Sequence, residues 1–336
     1  MHNKIYEKIK NFIVNSYKFF LFLIIGFLIM TYELPYYIDT PGGLINLSDR
    51  VEVENGYKSK GSINLTYVLE LKATIPTLLV SKFKPDWSVV KKEEVEVSNE
   101  KENNSDYRDK LLLKEANNNA IYVAFAKVGK SVKLIENHIY VTYIDEDAKT
   151  NLKIGDEIVE LNGVKINSKM ELLNEINKYQ VNDTLSIKVV NNNNYSNKIA
   201  TLKEENNRNI IGILITEDKK IETDPKVDFK FNGNESGPSG GLMETLYIYN
   251  SLTKKDITKG LTIVGTGTIE SDGRVGTIGG VEFKLKGAVN KGADIFFVPN
   301  GENYEEAINI KNEFLYDIKI VGVDNFDDVL DYLNNI

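Results

Sequence analysis

The stretch "GNESGPSGGLMETL", Gly233 to Leu246, sets one hydroxyl, Ser239, between pairs of small residues where an apolar helical pattern begins. Leu242, Leu246 and Tyr249 mark one face of that helix. A serine in this place can be a helix N-cap, its hydroxyl accepting from a backbone N–H one turn on, for about 1 kcal/mol. The flanking glycines exceed what a cap requires, because they strip side chains from both sides of Ser239 and let another backbone approach. A helix start also offers free N–H groups and a positive dipole end to a developing oxyanion. On these residues alone, cap and nucleophile both stand.

Composition narrows the chemistry further out. A chain of 336 residues holds two or three domains of ordinary size. The 49 acidic against 41 basic residues give a net charge of -8, and no Lys/Arg block with interleaved aromatics argues for nucleic acid as a partner. The absence of cysteine excludes a thiol nucleophile, a thiolate metal site and a disulfide. His2 and His138 are the only histidines, so a Ser-His-Asp triad would have to use His138, and a histidine-rich zinc site cannot be built. No cofactor site is expected, and a covalent hydrolase in this chain takes a base other than histidine.

Toward the N-terminus, residues 19 to 32, "FFLFLIIGFLIMTY", carry no charge and lie between Lys18 and Glu33. Fourteen helical residues cover only about 21 Å of a roughly 30 Å hydrocarbon layer. Tyr17, a snorkelling Lys18, and Leu34, Pro35, Tyr36 and Tyr37 at the other interface make up much of the deficit. Residues 1–38 are therefore expected to form a cytoplasmic tail and one short transmembrane helix; a buried core helix is the alternative. No small-x-small cleavage site follows, which favours an uncleaved signal anchor. Lys4, Lys8, Lys10 and Lys18 precede the span and Glu33 and Asp39 follow it, placing the N-terminus in the cytoplasm and the rest outside the cell membrane.

Residues 39–130 read as a small β-rich region with a charged linker and a helix. Ile63, Leu65, Tyr67, Leu69 and Leu71 alternate as in a strand, and Asn55-Gly56 is a hairpin signal. Lys91 to Lys110 is charged; Leu111 to Val128 reads as a helix stopped by Gly129. The Asn117–Asn119 and Asn191–Asn194 runs read as solvated loops. Gly129-Lys130-Ser131 imitates the end of a phosphate-binding loop, but Ala124 stands where its first glycine belongs and the preceding residues look helical, so no nucleotide site is supported. Asp145 and Asp147 likewise fail as a calcium loop, because Lys149 and Thr150 occupy the next ligand and glycine positions.

Residues 131–204 form the next unit. Gly155-Asp156-Glu157-Ile158 followed by Asn162-Gly163 resembles the core of a PDZ domain. PDZ domains capture extended peptides by strand addition beside a helix. By that resemblance Ile139 to Ile144 would receive the peptide and Ile135 to Asn137 would be the loop before it; a PDZ-like spacer that binds nothing is the alternative.

The segment "VGTGTIESDGRVGTIGGVEFKLKGAVNKGADIFFVPN", Val264 to Asn300, taken with Gly237-Pro238-Ser239-Gly240-Gly241, resembles the proteolytic domain of the Lon family of serine peptidases over residues 205–336. The resemblance implies a Ser/Lys dyad: Ser239 as nucleophile and Lys284, ending Gly279-Gly280-Val281-Glu282-Phe283-Lys284, as base, with Thr266 supporting the lysine. It also implies that Gly240 departs from a usual alanine. A lysine of pKa about 10.4 needs a depression of roughly 3 units, about 4 kcal/mol, to act near pH 7 to 8, and burial without a carboxylate supplies that sign. On a helix Lys284 flanks Val281, Leu285 and Ala288, while Lys286 is expected to point more outward.

The whole layout, with "LPYY" at Leu34 and "PGG" at Pro41 to Gly43, is similar to the membrane-anchored PDZ/Lon-like peptidases of Gram-positive bacteria. The fold class expected is α+β multidomain: an N-terminal transmembrane helix, a small β-rich region, a PDZ-like domain and a Lon-type α/β proteolytic domain. The function this implies is an ATP-independent serine endopeptidase acting on peptides or unfolded protein segments, with homo-oligomers allowed. A catalytically inactive adaptor that binds peptides is the competing expectation.

Overall fold

The computed structural model describes residues 2–95, 102–253 and 255–336. Contacts divide the chain into one unit of residues 1–42 with 67–99, and another of 43–66 with 100–336.

In the first unit, α1 (His2–Asn15) and α2 (Tyr17–Thr31) meet at 65°. The break falls at Ser16, beside Asn15, residue types whose side chains compete for backbone hydrogen bonds. Among the described residues no single helix is long and apolar enough to cross a membrane; only α1 and α2 together satisfy length and composition. Residues 19–31 of the apolar stretch thus lie on α2 without a break, but that helix alone is too short to satisfy the length, and the bend at Ser16 precedes it. β1 (Tyr36–Asn46) neighbours β2 (Ser62–Lys72) and pairs antiparallel with β3 (Ser88–Lys91), from Tyr36↔Lys91 to Asp39↔Ser88. α3 (Ile75–Ser81) sits between β2 and β3 in sequence, opened by a Thr74/Thr77 capping box. Part of the charged linker, residues 96–101, lies outside the described residues.

The unit boundary falls inside both β1 and β2, so the β-rich region is not a domain of its own. In the second unit α4 (Glu102–Lys127) starts well before the apolar pattern at Leu111, although among residues 102–110 only Glu102, Arg108 and Lys110 are good helix formers. It ends at Gly129, where φ is +70° and the Lys130 N–H donates to Phe125 O at 2.9 Å. The imitation phosphate loop is a helix terminus.

The PDZ sheet has the order β8-β4-β5-β6-β7, with β4 (Val132–Ile144), β5 (Glu157–Leu161), β6 (Thr184–Asn191), β7 (Asn194–Thr201) and β8 (Ile213–Thr223). Its core packs Ile139, Val141, Ile158, Leu161, Leu185 and Ile187 under α5 (Lys169–Ile176), which contributes Leu172 and Ile176. Two expectations fail here. The sheet runs past residue 204, since β8 pairs with β4 from Ile213↔Ile144 to Thr223↔Val132. Ile139–Ile144 therefore has β8 on one side and β5 on the other, through Tyr140↔Glu157, and Ile135–Asn137 is strand, not loop. A strand paired on both sides cannot accept a third; the terminal strands of this order are β8 and β7.

The remaining sheet has the parallel order β11-β10-β9-β2, using only the Ser62–Leu65 end of β2. Its elements alternate with helices: α6 (Gly241–Leu252), β9 (Thr262–Gly265), α7 (Val281–Asn290), β10 (Ile295–Pro299), α8 (Glu302–Glu313), β11 (Lys319–Val323) and α9 (Phe326–Asn335). Successive strand residues point to opposite faces. Ile263, Ile295 and Phe297 pack with α4, α6 and α9, whereas Val264, Phe296 and Val298 pack with α7 and α8. Ile63 and α4 come from ahead of the PDZ sheet in sequence, so this α/β layer is wider than the 205–336 span expected for it.

Candidate active site

Ser239 does not cap α6. Gly240 holds the N-cap position with φ −87° and ψ −15°, and the Ser239 hydroxyl makes no hydrogen bond among the described residues. The first helical N–H groups are already used: Gly241 donates to Pro238 O at 3.2 Å, Leu242 to Gly267 O at 3.1 Å and Met243 to Gly240 O at 2.9 Å. The N–H groups of Ser239 and Gly240 find no acceptor among the described residues. Available donors thus belong to the turn that carries the hydroxyl, not to the helix after it.

That turn is tied down from several elements. Arg50 grips Glu235 through Nε and Nη2 at 2.8 to 3.1 Å, and Glu235 also accepts the Asn232 N–H at 2.7 Å. The Gly237 N–H donates to Asp109 O of α4 at 3.1 Å, and the Gly267 N–H donates to Ser239 O at 2.8 Å. A bidentate guanidinium–carboxylate pair fixes direction as well as distance. Neither Arg50 nor Asp109 carried a sequence signal; Glu235 stood in the opening stretch unremarked.

α7 presents the lysine. Gly280 begins this helix at φ +69°, a left-handed conformation that glycine adopts without a Cβ penalty. The Lys284 N–H donates to Gly280 O at 3.1 Å, and the buried Thr66 hydroxyl of β2 donates to Lys284 O at 3.0 Å. Lys284 is 6% exposed, and Nζ donates to Thr266 Oγ1 at 3.3 Å. Thr266, fully buried, donates in turn to Ser239 O at 3.2 Å. The amine and the nucleophile's residue are therefore joined through Thr266, with no hydrogen bond between Nζ and Ser239 Oγ. Burial lowers the Lys284 amine to about 8, and no ion pair opposes that shift among the described residues.

Lys286 corrects one expectation. It is 2% exposed rather than outward, with Nζ 2.7 Å from Glu282 and 4.4 Å above the Phe314 ring. The side chain crosses to the neighbouring apolar surface and takes its counter-charge along. Of these two buried lysines, the one near the serine has no acid beside it.

A carboxyl lies directly under the turn. Glu244 on α6 is fully buried, and its Oε1 has no partner. Asn117 of α4, with its amide nitrogen turned inward, donates to Glu244 Oε2 at 2.9 Å and to Leu113 O at 3.2 Å. Desolvation pushes this carboxyl up to about 8, so it is protonated at neutral pH. A Cβ on Gly240 would stand 2.9 Å from Glu244 Oε1 and 3.1 Å from Leu65 Cδ2. A side chain at position 240 therefore requires Glu244 or Leu65 to shift, and the Asn117–Asn119 run is helix rather than loop.

His138 joins none of this. It lies on β4, with Nδ1 2.6 Å from Glu157 Oε1, and that hydrogen bond raises its pKa. Asp145 and Asp147 both turn to Lys203 Nζ, at 2.9 and 2.5 Å. Among the described residues no His, Cys, Asp and Glu group could hold a metal ion.

Residues 126–200 match the family model of the PDZ domain, and residues 232–335 match that of the Lon protease (S16) C-terminal proteolytic domain. The Lon protease of Metamycoplasma arthritidis is 34% identical over 99 residues, which cover 30% of this chain and 12% of that protein. The Lon protease of Campylobacter jejuni is 28% identical over 196 residues, covering 53% of this chain and 22% of that protein. The chain thus spans less than a quarter of the length of these relatives. The crystal structure of the PDZ domain of an SdrC-like protein from Listeria monocytogenes is 25% identical, covers 25% of this chain and 92% of that one, and has a TM-score of 0.23. The chain carries a PDZ domain followed by a Lon-type (S16) proteolytic domain, a composition consistent with the PDZ/Lon-like peptidases.

Proposed function

We propose that the chain is a membrane-anchored, ATP-independent serine endopeptidase that uses Ser239 as nucleophile and Lys284 as base. The observation that carries this reading is the amine that burial brings to about 8 with no acid beside it, linked by Thr266 to the nucleophile's own carbonyl. Near pH 8 half of such amines are neutral, which suits a general base. Neutral Lys284 takes the Ser239 proton, and the alkoxide adds to a peptide carbonyl. The unpaired N–H groups of Ser239 and Gly240 receive the negative oxygen. The lysinium then gives its proton to the departing amine, leaving an acyl-enzyme on Ser239. Water, deprotonated by the same amine, adds to the ester and releases Ser239.

The apolar α1–α2 pair supports a membrane anchor, and the lysines ahead of residues 19–32 support an orientation with the catalytic part outside. Of the two terminal strands, β8 is the one that contacts α5, and it is the edge to which an extended substrate would add. Nothing in the sequence supplies a nucleotide loop, so the substrates are peptides or protein segments already unfolded. Cleavage of an unfolded casein-like protein without nucleotide, by the wild type and by Ser239→Ala, tests the reading. We expect the variant to lose cleavage. Equal activity in both would refute the nucleophile, and capture without cleavage by either would favour an adaptor.

A further inference from the structure

Two-turn helices on a water-facing surface turn their polar side outward; α3 does the reverse. Thr77, Leu78 and Ser81 are half-buried, while Ile75 (40%), Leu79 (55%), Val80 (45%) and, just past the helix, Phe83 (83%) are exposed. At 100° per residue, Ile75, Leu79, Val80 and Phe83 share one side of the helix axis. An apolar side of this size needs a non-aqueous neighbour. α3 contacts α2 within the same unit. The last turns of α2 present Phe27 (66%), Leu28 (55%) and Met30 (63%), and Tyr32 (65%) follows. Lys82 and Lys84, both exposed, stand beside Phe83.

We infer that the outer side of α3 lies in the lipid bilayer, at the boundary between headgroups and acyl chains of the leaflet that receives the C-terminal end of α2. The composition fits that depth: aliphatic and aromatic side chains enter the acyl layer, and the two lysines reach phosphate groups. A protein partner would also cover apolar side chains, but continuity with a helix that is apolar on every side favours lipid. This inference rests on the reading of α1–α2 as a membrane anchor. Its consequence is a second foothold, which fixes how the chain leaves the bilayer rather than letting it swing from one helix end.

The chain has no cysteine, so a single introduced thiol carries a label without background. In the full chain reconstituted into phosphatidylglycerol/phosphatidylcholine vesicles, an environment-sensitive fluorophore is placed at Leu79→Cys, at Phe83→Cys, or at the exposed Ser196→Cys as reference. Lipids bearing a nitroxide near the headgroup should quench the first two about twofold more than the third. Equal quenching at all three sites in protein that floats with the vesicles would overturn the α3 inference and leave the anchor intact. Failure to float with vesicles would overturn both.

Discussion

Gly240→Ala is the substitution that the resemblance to Lon domains would call harmless and that this structure calls costly. The backbone at Gly240, φ −87° and ψ −15°, accepts alanine, and removing a glycine there restricts the unfolded chain, worth about 0.4 to 1 kcal/mol of stability. Against this, the new methyl meets Glu244 Oε1 at 2.9 Å and Leu65 Cδ2 at 3.1 Å. The Glu244 side chain is fully buried and has no solvent to swing into. Overpacking of this kind costs roughly 1 to 3 kcal/mol, so the net change runs from about zero to a loss of about 2.6 kcal/mol. In a Glu244→Ala background the obstructing oxygen is gone and the same methyl should be tolerated. The two changes are therefore expected to couple by at least about 1 kcal/mol. Trp87, the only tryptophan, belongs to the other unit, so the assay is hydrogen exchange of the α6 amides. Additive effects within about 0.3 kcal/mol, or stabilisation by Gly240→Ala alone, would refute the packing argument.

Three further outcomes follow from the charges at the site. Lys284 releases its proton at about 8 when folded and at 10.5 when unfolded, so its burial penalty, about 3 kcal/mol, is whole below pH 8 and fades between pH 8 and 10.5. Lys284→Met should be inactive yet more stable than wild type at pH 7, with the gap closing above pH 10; a gap that does not vary with pH would contradict this. Glu244 titrates at about 8 folded against 4.5 unfolded, so stability falls as pH rises from 4.5 to 8, by as much as roughly 4 to 5 kcal/mol. Glu244→Gln should flatten that slope in thermal denaturation across this range. Arg50→Gln removes a charge-assisted grip on Glu235 worth about 1.5 to 3 kcal/mol, and should lower kcat about tenfold or more while the thermal midpoint of the PDZ part stays in place.

How much could be read beforehand depended on distance along the chain. Ser239, Thr266 and Lys284 belong to short motifs whose spacing survives in sequence, and the structure joins them through hydrogen bonds of 3.2 and 3.3 Å. Strand partners were another matter: the Asn64 side chain bonds Ile263 O across 199 residues, and alternation reveals which face a residue occupies but not which strand lies beside it. For the same reason residues 213–223 read from the sequence as part of the proteolytic span, although they pair with β4. Glu244 escaped notice because a carboxylate one position off an apolar stripe looks like a solvated face, whereas α6 is enclosed all round from Gly241 to Leu246. Lys286 misled in the same way.

The placement of the PDZ sheet within the proteolytic unit has an architectural outcome. Ser62–Leu65 and α4 precede that sheet in sequence and α6 and β9 follow it, and Val51–Val53 zips to Val227–Phe229 just beyond its exit. The PDZ sheet is consequently held at both ends, like a page bound along two margins. No single cut can remove it as a terminal appendage, and a force applied to the PDZ sheet reaches the α/β layer by two routes at once.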